Sequence, residues 1–172
     1  MKELRLKRKD LIINLATLFY ICSFIGYIYE LILALIYTGK ISSHGILFGP
    51  WLPIYGTGSL LVMLFYKYRD KPLLIFILSF FVTGILEYIC GIILLKFFKM
   101  RLWDYTGYFF NIGGHVCFLS ALCFAIGGLL ITYLIYPFIH KNYNKVNKKI
   151  LKIILSITTG VFLIDIIATI LK

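Results

Sequence analysis

PLLIFILSFFVTGILEYICGIILLKFF, from Pro72 to Phe98, runs for 27 residues with only two charges, Glu87 and Lys96. About 20 predominantly apolar residues in helical form cross the roughly 30 Å of hydrocarbon in a bilayer. The stretch therefore reads as a membrane-crossing helix with one carboxylate inside it. The rest of the chain agrees: of 172 residues, 61% are hydrophobic, 17% aromatic and only 15% charged. Its mean hydropathy of +0.94 lies far outside the soluble globular range. The expected fold class is an all-α integral membrane protein, a single transmembrane domain over residues 1–172.

Four further segments have the same character: Leu11–Tyr37, Trp51–Tyr66, His115–Phe138 and Ile150–Leu171. Together with the first they predict five transmembrane helices. The segment at Trp51 is short, and the chain enters it through Gly49-Pro50-Trp51-Leu52-Pro53-Ile54-Tyr55-Gly56-Thr57-Gly58. Pro50 and Pro53 suit the opening of a helix, while Gly56 and Gly58 loosen its first turns. We read a loop that dips into the membrane before the helix starts, a geometry tolerated only where protein or water satisfies the backbone.

The net charge of +11 does not mark a nucleic-acid binder, because the basic residues sit in short runs between apolar segments. They set orientation instead. Lys2, Arg5, Lys7, Arg8 and Lys9 precede the first segment, and Lys67, Arg69 and Lys71 join the second to the third. Lys141, Lys145, Lys148, Lys149 and Lys152 lie where the fourth meets the fifth. These are 13 of the 18 basic residues, all on one side if five helices alternate. The positive-inside rule then predicts a cytoplasmic N-terminus and an external C-terminus, in the plasma membrane of a bacterium. The first apolar segment is too long for a signal peptide and has no small-residue cleavage site after it, so it is expected to stay attached.

A second apolar helix repeats the design around Glu87. Glu30 lies in the first segment, followed by a glycine-bearing loop with His44; Glu87 lies in the third, followed by a longer loop with His115. A carboxylate at membrane depth is costly and marks a functional site facing a bundle interior or cavity. The first four helices thus read as a two-helix parallel internal repeat that builds one site at its interface. Both loops fall on the outer face in this topology. The longer one carries Trp103-Asp104-Tyr105, which reads equally as a lid over the site or as a headgroup-level aromatic belt.

The loop residues also resemble a known family. His44-Gly45-Ile46-Leu47-Phe48-Gly49-Pro50 followed by Pro53-Ile54-Tyr55-Gly56-Thr57-Gly58 is similar to the signature of the putative ABC-transporter type IV family. So are Leu86-Glu87-Tyr88, Trp103-Asp104-Tyr105, and Asn111 through Gly114-His115-Val116-Cys117. The resemblance covers roughly residues 24–137 and implies a permease-like membrane component. Its pattern has arginine where His44 and His115 stand, so this chain replaces a fixed charge with one that depends on pH.

The expected site residues are Glu30, His44, Tyr55, Glu87, Trp103, Asp104, Tyr105, Asn111 and His115, binding a small solute or ion from outside. The competing reading is that the same groups only pin helix ends together. Two histidines and two carboxylates could also ligate zinc, but the arginines of the resembling pattern do not bind metal. No metal, no cofactor and no catalytic residue is therefore expected. No Walker-type loop, nucleophile elbow or HExxH motif occurs in the sequence, which excludes an ATPase or a recognisable hydrolase at motif level. The expected partners are the lipid bilayer and either a separate ATPase subunit or a second copy of the chain, with no nucleic acid. The alternatives are a membrane protein that senses a small molecule or lipid headgroup, and, less favoured, a membrane-embedded enzyme. Asp165 reads as a helix-contact residue, and Ala125, Gly127 and Gly128 as small residues that let a neighbouring helix approach.

Overall fold

The computed structural model describes residues 8–40 and 45–171. Within them the chain is helical, with one isolated antiparallel bridge, Ile112 to Val116, and no strand. Six helices follow in order: α1 (Arg8–Thr38), α2 (Pro53–Met63), α3 (Pro72–Phe98), α4 (Phe118–Leu130), α5 (Tyr136–Tyr143) and α6 (Lys148–Ile170). A 3-10 turn at Tyr66–Tyr68 joins α2 towards α3, and a π-helical turn at Ile131–Ile135 fuses α4 to α5.

Four stretches are long and apolar enough to cross a membrane: Arg8–Thr38, Pro72–Phe98, Phe118–Tyr143 and Lys148–Ile170. The protein is a multi-pass membrane protein. The segment expected at 51–66 contains α2, whose 11 residues at about 1.5 Å each cover roughly half of the hydrocarbon thickness. Pro53 opens α2, where its missing N–H costs nothing.

The fourth expected segment differs at both ends. Its helix starts at Phe118, because Cys117 caps it: the thiol accepts from the Ser120 N–H while the Ser120 hydroxyl accepts from the Cys117 N–H. The helix then passes Phe138 and runs on to Tyr143. Pro137 should break a helix at this point, since its ring crowds the carbonyl four residues back. The π turn relieves this: the Tyr136 N–H reaches the Ile131 carbonyl, one residue beyond the α-helical partner.

The packing explains the glycines. The first turns of α2 lie against the later turns of α1, antiparallel to it, and a Cβ on Gly26 would overlap the Tyr55 ring. α4 packs antiparallel on α3, with Gly84 against Ala121 and Gly128 against the Ser79 hydroxyl. Small residues of this kind let helices approach in a membrane, where tight van der Waals contact replaces hydrophobic drive. Leu18, Cys22, Tyr136 and Ile139 form a buried cluster with Met63 and Tyr66 against it, tying α1 and α2 to α5. Of α6, among the described residues, only Phe162 and Asp165 are buried.

Candidate functional site: a carboxylate–tyrosine cluster

Glu87 is 3% exposed on α3. Its side chain shares one buried helix face with Ile75, Ser79, Thr83 and Gly91, a four-residue spacing that keeps them on one stripe. Two hydroxyls serve the carboxylate. Tyr105 donates to Oε1 at 2.9 Å from the α3–α4 loop, and Ser120 donates to Oε2 at 2.7 Å from the first turn of α4. The Ser120 hydroxyl also accepts from the Cys117 N–H at 3.1 Å, so the cap of α4 and the carboxylate are wired together. Both are ordinary O–H···O hydrogen-bond lengths, and the Ser120 bond is the shorter.

Glu30 on α1 is half-buried and accepts from the Tyr55 hydroxyl at 2.6 Å. Tyr55 sits at the start of α2, its ring 5.2 Å from Phe124 of α4 and 6.2 Å from Tyr29 of α1. Glu30 is near enough to act electrostatically on both Glu87 and Tyr105. Burial and the two carboxylates together hold the Tyr105 phenol well above its ordinary range, so it stays a donor. Helices α1, α2, α3 and α4 thus converge on one cluster: two carboxylates, two tyrosine donors and one serine.

The α3–α4 loop is self-bonded. Asp104 accepts from the Thr106 N–H at 2.9 Å and from its hydroxyl at 2.6 Å, and pairs with Arg101 at 3.1 Å. These contacts, the Thr106 hydroxyl foremost, hold the Asp104 carboxyl below its usual value. Asn111 accepts from the Gly114 N–H at 3.2 Å and donates to the Tyr108 carbonyl at 2.9 Å. The Trp103 indole donates to the His115 carbonyl at 2.8 Å, and the Tyr105 N–H to that of Gly114 at 3.0 Å. Gly113 and Gly114 both take positive φ, 59° and 72°, which glycine alone adopts freely. This turn aims the His115 ring at Tyr88, 5.9 Å away, and over Gly91, not at Glu87.

Of the expected residues, the structure joins Glu30 to Tyr55 and Glu87 to Tyr105 by hydrogen bonds. Trp103, Asp104, Asn111 and His115 build the loop that delivers Tyr105. His44 lies outside the described residues. Ser120 escapes sequence reasoning because a serine in an apolar helix is ordinary; its place three residues after a cap was the available signal. Asp165 is an anchor. At 8% exposure on α6 it accepts from the Phe48 N–H at 2.9 Å, the Gly49 N–H at 2.8 Å and the Trp51 indole at 2.7 Å. It thereby holds the loop that leads into α2, and so the position of Tyr55.

The family model described as putative ABC-transporter type IV matches residues 17–170, from the first turns of α1 to the end of α6. The chain belongs to the putative ABC-transporter type IV family. No curated protein and no solved structure matches it. For this putative ABC-transporter type IV member, the match extends past the loop signatures to α6, so Asp165 lies within the family's span. A carboxylate offers about four lone-pair positions, and Glu87 spends two of them on Tyr105 and Ser120. Such a group can bind a cation, hold a proton, or accept from an N–H or O–H of a solute.

Proposed function

We propose that this protein is a permease-like transport component whose carboxylate–tyrosine cluster binds a small solute or ion from the outer side. The observation that carries it is the paired placement of Glu30 on α1 and Glu87 on α3, each met by a tyrosine hydroxyl, Tyr55 from the start of α2 and Tyr105 from the α3–α4 loop. A buried carboxylate that served only to join helices would be cheaper as an apolar contact. The family's description supports a transport role.

In the arrangement we propose, α2 with its flanking turns counts as a fifth crossing segment, and α1–α2 and α3–α4 are the two halves of a parallel repeat. The N-terminus is cytoplasmic and the C-terminus external, in a bacterial plasma membrane, with the cluster in the outer half. The connections at 64–71 and 144–147 are short for docking an ATPase, so a partner ATPase engages a dimer's pooled surfaces.

The test is a solute panel offered to a strain lacking the gene and complemented with the chain. Uptake that returns with the native chain, and falls at least tenfold with Glu87→Gln or Glu30→Gln, supports the reading. Full uptake in both variants removes the cluster from transport. The second reading, a sensor of small molecules or lipid headgroups, is favoured by the same cluster if the purified protein binds a solute that vesicles do not accumulate.

A further inference from the structure

At the opposite end of α1 from Glu30, a groove of about 880 Å³ lies between α1, α2 and the turn after α2, with Tyr136 of α5 and Thr159 of α6 completing its lining. That volume falls in the range of small-molecule and cofactor sites, about 300–1,000 Å³. Its walls are mainly aliphatic, with Leu15 and Ala16 on the α1 side and Leu60 and Leu64 on the α2 side. The two helices are antiparallel, so Leu11 and Leu64 lie at the mouth and Tyr20 and Leu60 lie deeper. The Tyr20 hydroxyl donates to Thr159 at 2.8 Å and ties the deep end together. From Leu11 to Tyr20 the helix rises roughly 13–14 Å, close to half of the about 30 Å of hydrocarbon in a bilayer. The groove is thus about as deep as one leaflet.

The mouth is cationic. Lys67 and Arg69 line it from the turn after α2. The Arg69 guanidinium lies 5.0 Å over the Tyr66 ring, Tyr66 packs edge-on against Tyr136 at 4.9 Å, and the Tyr133 hydroxyl donates to the Arg69 carbonyl. The ion pairs among the described residues are Arg101–Asp104 and Lys148–Asp10, so neither Lys67 nor Arg69 has a carboxylate partner there. No acidic residue lines the groove; Asp70 follows Arg69 but is exposed and outside the lining. A free anion would leave the aliphatic walls unfilled. A second copy of this chain, with its net charge of +11, would bring further positive charge to the same mouth.

We propose that this groove binds one anionic phospholipid, its phosphate held by Lys67 and Arg69 and an acyl chain lying between α1 and α2 down to the Tyr20–Thr159 bond. A guanidinium presents paired donors to phosphate oxygens, and the lysine ammonium adds a point charge. Basic pockets between membrane helices take lipid headgroups in this way. The site is separate from the Glu30–Glu87 cluster and does not depend on the permease reading.

The test is native mass spectrometry of the full chain, delipidated in detergent and titrated with phosphatidylglycerol or with phosphatidylcholine of the same acyl chains. One phosphatidylglycerol per chain should bind about tenfold or more tightly than phosphatidylcholine, since each basic residue near the headgroup contributes about fivefold. Lys67→Gln with Arg69→Gln should bring the two lipids level. Lys145→Gln with Lys149→Gln, an equal loss of charge outside the groove, should leave the preference intact. Ala16→Phe, which sets a ring in the groove, should abolish the tightly bound phosphatidylglycerol, and inorganic phosphate should not displace it from the native chain. Equal affinity of the native chain for the two lipids overturns the proposal, as does a preference that survives the Lys67 and Arg69 changes or a folded Ala16→Phe chain. Displacement by inorganic phosphate would make this a plain anion site, and a dimer that Ala16→Phe dissolves would make the occupant a second copy; either overturns it. Because Lys67 and Arg69 lie at the mouth, their paired change decides the matter even where Ala16→Phe does not fold.

Discussion

Tyr55 and Tyr105 each bring one hydroxyl to a carboxylate, and the two bonds differ in what their loss exposes. Glu87 keeps Ser120 when Tyr105 is gone, whereas for Glu30 the Tyr55 hydroxyl is the hydrogen-bond donor among the described residues. Polar contacts inside membrane bundles are worth about 0.6–2 kcal/mol. Tyr105→Phe and Tyr55→Phe should therefore each cost about 1 kcal/mol in unfolding measured in mixed micelles. Asp165→Ala should cost more, about 2–4 kcal/mol, since it strands two backbone donors and an indole N–H at once. It should also shift Trp51 emission to the red; an unchanged spectrum would contradict the anchoring role. Glu30 and Glu87 were legible in the sequence because a carboxylate in an apolar run has few cheap explanations. Their partners were only half legible. The histidines looked like natural mates, but the side-chain direction of His115 is set by two positive-φ glycines before it, and no spacing rule carries that information.

Helix-level packing turns on single missing Cβ atoms. Gly26→Ala forces a methyl into the Tyr55 ring and should cost about 1–3 kcal/mol while moving Tyr55 off Glu30. Gly127→Ala meets open space and gains up to about 1 kcal/mol of helix propensity. Thermal unfolding of the pair should move in opposite directions; equal losses would contradict the packing described. The sequence suggested close approach at Gly127 and Gly128 alike, and only the fold shows that Gly128 alone faces Ser79. The continuation of α4 through Pro137 was equally hidden, because a π turn leaves no signature in hydropathy. In the α3–α4 loop the Asp104 carboxyl lies below its ordinary value, so its turn is fully supported above about pH 4, the unfolded range. That support is lost as the pH falls through the lowered value. Trp103 emission should be constant from neutral pH to about pH 4 and change only below that.

At the scale of the whole molecule, length and hydropathy made the membrane class and the long helices readable, since about 20 apolar residues have few other uses. The meeting of α1, α2, α3 and α4 on one cluster was readable only as a repeat of motifs. The role of α6, which supplies the anchor for the loop before α2, was not readable, because that contact spans more than a hundred residues. Topology is open to direct measurement: reporters fused after Lys71 and after Lys149 should both lie in the cytoplasm, and one at Lys172 outside. A cytoplasmic reporter at Lys172 would remove one crossing from the proposed arrangement. The central claim is that Glu30 and Glu87 act as one site, and the double variant tests it most directly. Uptake in the complemented strain is measured for Glu30→Gln, Glu87→Gln and both together, alongside their melting temperatures in detergent. One shared site predicts that each single change lowers uptake at least tenfold, that the pair is no worse than either alone, and that all three still fold. Lowered melting temperatures with uptake intact would mean that the two carboxylates are structural pins, and would contradict the account.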